Sequence, residues 1–252
     1  PKKRWSVSDL LKKTNLSRGV LDALVKKGIL KIELQSVSRL LTDFEQKTSL
    51  NNLTKAQQKA FEQITEGFRK RKVCLLHGVT SSGKTEIYIK LIQQQLDNGK
   101  QVLYLLPEIA LTTQIINRLR KHFGNKVGVS HSHINNTERV EVWKAVQEKS
   151  KEKLQYPIML GARSSIFLPF DNLGLIIVDE EHDPSYKQHQ PAPRYNARDA
   201  ANYLAKIHNA DLLLGSATPS LESYLNGETG KYQLIELNRR YGSRNINIKK
   251  FN

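Results

Sequence analysis

Residues 78–85 read Gly-Val-Thr-Ser-Ser-Gly-Lys-Thr, a full match to the spacing GxxxxGK[ST]. The match lies between an apolar run, VCLLH, and an amphipathic run, KTEIYIKLIQQQ, so a strand should enter it and a helix leave it. In such a loop, successive backbone N–H groups converge on an anion, and the N-terminus of the helix adds partial positive charge. Gly78, Thr80, Ser81, Ser82 and Gly83 would cradle phosphate oxygens, with Glu86 in the first turn behind them. Lys84 can neutralise β- and γ-phosphates, and the Thr85 hydroxyl can ligate Mg²⁺. A phosphate loop of this kind needs a second acid to complete the metal site, and Asp179 stands at the end of the apolar run LGLIIV. Asp179 is placed to hold Mg²⁺ through water, and Glu180 to act as hydrolytic base by orienting the attacking water for in-line displacement. Lys84, Asp179 and Glu180 are thus the catalytic candidates, Thr85 and Asp179 the metal ligands, and ATP with Mg²⁺ the cofactors.

These residues need a scaffold that brings distant segments to one edge. Six short apolar runs, VCLLHG, QVLYLLP, KVGVSHS, PIMLG, LGLIIVDEE and ADLLLGSAT, alternate with helical periods over 83–97, 110–123, 136–149 and 197–208. Continuous apolar strands separated by helices predict an α/β fold, a mainly parallel sheet covered on both faces. Ligands on such sheets bind beyond the carboxyl ends of the strands, where every polar motif here falls. Upstream, helical spacing over Val7–Lys13 and Arg18–Lys27, a stop at Gly28 and the run ILKIEL suggest a small winged-helix-like unit. It serves DNA binding or is an inert spacer; residues 1–50 hold eleven bases and five acids.

Forty Lys and Arg against 24 Asp and Glu leave a net charge of +16, which points to a polyanionic partner, the alternative being a merely solvated basic surface. The single Cys74 excludes a disulfide framework or a four-cysteine zinc site within these residues. No run of ~18 or more apolar residues occurs and no apolar signal segment follows the opening PKKR, so no membrane role and a cytoplasmic location are expected. The start without Met and the basic ending RRYGSRNINIKKFN suggest a piece of something longer.

Asp-Glu-Glu-His at 179–182 and Gly-Ser-Ala-Thr at 215–218 resemble motifs II and III of superfamily 2 helicases, and Leu53-Thr54 with Gln57 and Ala60 looks like the preceding Q-type motif. More narrowly, GVTSSGKTEIY, LLPEIALTTQ, HSHINNTERVEVW, GARSSIFLPF, VDEEHDPSYKQHQPAPRYNARDAA and GSATPSLES follow one another as in the primosomal replication-restart helicases of bacteria, the PriA family. The resemblance covers about residues 53–225. It implies a RecA-like first motor lobe of an ATP-dependent 3′-to-5′ DNA helicase that acts in replication restart and primosome assembly at stalled forks. The corresponding division is 1–45 winged-helix-like, 46–236 motor lobe, and 237–252 leading to a second lobe. The second lobe, its arginine finger and a zinc-holding cysteine module have no counterpart in these 252 residues. Without the arginine, this chain alone should hydrolyse ATP poorly.

By the same resemblance Gln57 reads the adenine edge, and Ser216 with Thr218 links nucleotide state to DNA grip. The segment after DEEH would be an aromatic-rich loop that senses single-stranded DNA, with Tyr186, Lys187, Gln188, Arg194 and Tyr195 as its candidates. Aromatic faces stack on bases while Arg and Lys follow phosphate; the alternative is an ordinary exposed loop held by Pro184, Pro191 and Pro193. PEIALTTQ and GARSSIF resemble motifs Ia and Ib, where Thr112, Arg163 and Ser164 could hold the sugar-phosphate track. Single-stranded and forked DNA, primosome proteins and single-strand-binding protein are the implied partners, and association with the nucleoid is the implied location. Ser81 stands where the loop of this family often has Gly, a tolerable change if its φ is negative. His131 and His133 lack further ligands at metal spacing and read as structural or DNA-facing. Two rivals differ in class: a restriction-type DNA translocase subunit, which shares the motor but lacks PEIALT and the long loop, and a non-catalytic DNA-binding module.

Overall fold

A computed structural model describes residues 10, 13–14, 17–30, 52–131, 134–147 and 154–238. The chain divides into two units, Pro1–Arg39 and Leu40–Asn252, which are taken separately. In the first, helix α1 (Arg18–Lys26) ends where expected, and Gly28 at φ +71° turns the chain out of it. Most of the expected helix before it and most of ILKIEL lie outside the described residues, as does the tail from 239 onward.

The second unit is built on one sheet. Its strands are β1 (Cys74–Gly78), β2 (Gln101–Leu105), β3 (Val127–Ser130), β4 (Ile158–Gly161), β5 (Leu173–Asp179), β6 (Asp211–Ser216) and β7 (Gln233–Leu237). They run in the order β3-β4-β2-β5-β6-β1-β7, and every pairing is parallel. The six apolar runs all became strands because a parallel strand is buried on both faces: all seven residues of β5 are buried. β7 was not read from the sequence; it is an edge strand, and its exposed Glu236 interrupts the apolar run.

Side chains alternate between two cores. Leu76, Tyr104, Leu160, Ile177 and Leu213 face α2 (Lys55–Arg69), α3 (Lys84–Asp97) and α4 (Thr113–Phe123). Leu75, Leu103, Met159, Ile176 and Leu214 face α5 (Asn136–Gln147) and α6 (Ala197–His208). Each fully buried Leu or Ile contributes ~1.5–3 kcal/mol, so the layers fix the strand ends firmly. A short helix, α7 (Leu221–Glu228), connects β6 to β7.

Register then sets the site. Asp179 lies beside Gly215 and Ser216 beside His77, so the carboxyl ends of β5, β6 and β1 form one continuous edge. Segments separated by about a hundred residues in sequence meet there.

Candidate functional site

The phosphate loop leaves β1 at Gly78 and enters α3 at Lys84. Gly83 caps α3 at φ +86°, and a Cβ there would overlap the Gln57 amide nitrogen, so only glycine fits. Ser81 sits at φ +62°, not the negative value that would make it a harmless replacement for glycine. A left-handed serine costs ~1–2 kcal/mol, strain of the kind found at ligand-binding loops. The Ser82 hydroxyl is buried without a hydrogen-bond partner. Lys84 Nζ, on a nearly buried side chain, donates to the Gly78 carbonyl at 2.8 Å. An orphaned hydroxyl and an inward lysine at the N-terminus of a helix fit a phosphate chain.

Gln57 is expected at the adenine edge, but both ends of its amide are occupied. Oε1 accepts from the Thr54 N–H at 2.9 Å and its hydroxyl at 3.0 Å, a capping box at the start of α2. Nε2 donates to the Ser82 and Gly83 carbonyls, each at 3.4 Å. In this structure Gln57 braces the loop from behind. Glu86 likewise turns to an ion pair with Arg118 of α4. Thr85 is half-buried in the first turn of α3, and Thr80 is exposed on the loop.

Asp179 is buried at the end of β5, where Tyr88 of α3 donates to Oδ1 and Tyr104 of β2 to Oδ2, both at 3.0 Å. Burial and the neighbouring Glu180 charge push its pKa above the usual carboxylate range, while Tyr104, Lys84 and Tyr88 pull it back. Burial holds both phenols well above their ordinary pKa, so they remain donors. Glu180 adopts φ +49° and lies half-exposed, its Oε1 4.0 Å from Lys84 Nζ. No group of three or more His, Cys, Asp or Glu capable of holding a metal occurs among the described residues. A divalent ion here would take Thr85, Asp179, phosphate oxygens and water, the mixed shell Mg²⁺ prefers.

His182, outside the sequence-derived site, closes the edge. Its Nδ1 lies 2.7 Å from Ser216 Oγ and 3.7 Å from Glu180 Oε2, and its Nε2 lies 3.3 Å from Thr218 Oγ1. Ser216 is fully buried, accepts the Thr218 N–H at 3.0 Å and, through His182, links β6 to Glu180. Glu181, also missed, accepts from Arg198 at 3.2 Å, the Ser220 N–H at 2.7 Å and the Ser223 hydroxyl at 2.8 Å.

The loop after DEEH divides its candidates. Tyr186, expected to stack on bases, is buried, and its hydroxyl donates to the Asp179 carbonyl at 2.6 Å. Tyr195 is half-buried and meets Phe167 edge-to-face at 4.8 Å. Arg163 donates to the Ser185 carbonyl at 3.0 Å and the Lys187 carbonyl at 3.3 Å, and the Gln188 N–H to the Tyr195 carbonyl at 2.8 Å. Arg163, Lys187, Gln188 and Arg194 thus line one open cleft of about 730 Å³, joined by His189 and Gln190. Exposed Ser164 and Thr112 lie outside its lining. Phe167, in the GARSSIF segment, is exposed by 55% and packs against Tyr195. His131 is described but His133 is not.

An all-parallel sheet with a phosphate loop after β1 and an acidic pair after β5 defines a RecA-like lobe of the P-loop class. The family model "DEAD/DEAH box helicase" matches residues 54–226, and the chain belongs to that family. It is similar to replication restart protein PriA of Bacillus subtilis (strain 168), 43% identical over 94% of this chain and 29% of that protein. Replication restart protein PriA of Chlamydia muridarum (strain MoPn / Nigg) is 44% identical over 92% of this chain and 31% of that protein. The chain therefore spans about three tenths of the length of these curated relatives. Among solved structures, RecG bound to a three-way DNA junction shares the fold with TM-score 0.55 and 21% identity, over 90% of this chain and 26% of that one. The helicase MrfA bound to DNA and AMPPNP does so with TM-score 0.54 and 19% identity, over 89% of this chain and 29% of that one.

Proposed function

We propose that this chain is the nucleotide-binding first lobe, residues 46–236, of an ATP-dependent 3′-to-5′ DNA helicase that acts in replication restart. The observation that carries the reading is the approach of Lys84 to Glu180 across the strand ends, beside buried Asp179. Lys84 would leave the Gly78 carbonyl for the β- and γ-phosphates. Asp179 and Thr85 would hold Mg²⁺, which supplies charge neutralisation, and Glu180 would orient water for attack on the γ-phosphate. In this reading the partners are single-stranded and forked DNA, primosome proteins and single-strand-binding protein, in the cytoplasm at the nucleoid; the relatives' names support the replication-restart role. Residues 1–45 would be a winged-helix-like unit and 237–252 the passage to a second lobe, where the zinc module would also lie. The arginine of that lobe is worth ~10³–10⁵ in rate in related NTPases, so this chain alone binds ATP but turns it over slowly.

Lys84→Ala tests the site. Removing a charge-assisted contact of ~1.5–3 kcal/mol should weaken Mg-ATP binding by ~10- to 150-fold and leave DNA affinity within about twofold. Calorimetric titration of both ligands reads this, and equal nucleotide affinity in variant and parent would remove the loop as the site.

The cleft lined by Lys187 and Arg194 is the proposed single-strand track. Each phosphate contact on a single strand adds ~0.7 to the slope of log K against log salt. Lys187→Ala with Arg194→Ala should therefore flatten that slope by about 1.4 in oligonucleotide titrations. An unchanged slope would move the track elsewhere.

A further inference from the structure

Two buried hydroxyls meet the acid that would complete the metal site. Tyr88 comes from the helix that carries the phosphate loop, Tyr104 from the neighbouring strand β2, and each takes a different carboxylate oxygen of Asp179 at 3.0 Å. Both rings are fully buried and cross edge-to-face at 5.6 Å, so neither hydroxyl can swing away without breaking core packing. The arrangement also explains Gly215 on β6: any Cβ there would overlap the Tyr88 hydroxyl and come within 3.2 Å of Asp179 Oδ1. A hydroxyl in the centre of a sheet costs free energy unless paired. Phenylalanine would fill both places without that cost.

We infer that Tyr88 and Tyr104 are positioning residues that fix the Asp179 carboxylate: Oδ1 also accepts the Glu180 N–H at 3.2 Å, so Oδ2, held by Tyr104 alone, keeps the lone pair that faces the divalent ion bound with nucleotide. The inference rests on the nucleotide-site reading above. Hydrogen-bonded partners behind a ligating group orient it, and their loss costs ~10–100-fold in metal affinity. A further consequence follows from Tyr88 belonging to α3. The helix that begins at Lys84 reaches the metal-site acid within its second turn, so the phosphate loop and Asp179 move as one body.

The test compares Tyr88→Phe, Tyr104→Phe and the double variant with the parent chain, by titrating fluorescent N-methylanthraniloyl-ADP with MgCl₂ and with EDTA. Asp179→Asn marks complete loss of the Mg²⁺-dependent gain. The EDTA affinities should agree within about twofold, whereas the gain on adding Mg²⁺ should fall ~10-fold or more in the double variant. Thermal melting by circular dichroism shows whether each variant is folded, and either single variant suffices if the double is not. An unchanged Mg²⁺ gain in folded variants would reduce the tyrosines to packing and overturn the inference alone. A parent with no Mg²⁺-dependent binding would overturn the nucleotide-site reading as well.

Discussion

Tyr186→Ala should lower the stability of the motor lobe by ~3–5 kcal/mol, the usual cost of truncating a large aromatic side chain in a core. Its ring is buried on the α5–α6 face, among residues that include Ile176, Val178 and Ala197. Its hydroxyl donates to the Asp179 carbonyl at 2.6 Å, so the side chain pins the strand end that carries the acid. Tyr186→Phe keeps the ring and forfeits one hydrogen bond, a loss of ~1 kcal/mol. Urea denaturation of the chain, followed by circular dichroism, separates the two: a large drop in midpoint for the alanine variant and a small one for phenylalanine. An alanine variant as stable as the parent would mean that the ring is free and available to bases after all. The expected result sets the loop's root apart from its tip. Through Tyr186, and through Arg163 holding the Ser185 and Lys187 carbonyls, the root is tied to the core, and Lys187 to Arg194 form the largely exposed tip.

That division was not legible in the sequence, and the reason is physical. Composition tells that YKQHQPAPRY mixes aromatic, amide and cationic groups, but not which side chains turn inward, because a loop has no period to separate two faces. The strands were legible for the opposite reason. Burial on both faces demands uninterrupted apolar runs, and polar residues at their ends mark the functional edge. β7 escaped because an edge strand tolerates Glu236 and half-burial. Ser81 illustrates a further limit, since GxxxxGK[ST] fixes which residues form the loop but not their φ. Gln57 was placed by resemblance at the adenine, whereas the capping-box pattern Thr54 to Gln57 was present in the sequence and accounts for its side chain. Tyr104 carried a signal as well: a phenol inside a fully buried strand must find a partner.

Glu181→Ala is expected to be as damaging as any change outside the core. The Glu181 side chain is entirely buried and pairs with Arg198, itself only 16% exposed. Removing the acid leaves Arg198 with only its exposed acidic partners, Asp199 at 3.1 Å and Glu222 at 4.0 Å, and deleting one partner of a buried pair costs ~3–5 kcal/mol. It also strips acceptors from the Ser220 N–H and the Ser223 hydroxyl at the start of α7. Removing Arg198 together with Glu181 deletes the charge that has lost its buried partner, so the double variant should be more stable than the sum of the singles implies, by ~1–3 kcal/mol. Arg198 lies in the first turn of α6, directly after the projecting loop, while Glu181 directly follows the hydrolytic candidate Glu180. The pair is the loop's exit tie to the end of β5 that carries Asp179 and Glu180, as Tyr186 is its entry tie. A denaturation cycle over the four variants measures the tie. Strict additivity would show that Asp199, Glu222 or solvent fully replaces Glu181 at Arg198, and would leave Tyr186 as the side-chain tie between the loop and Asp179.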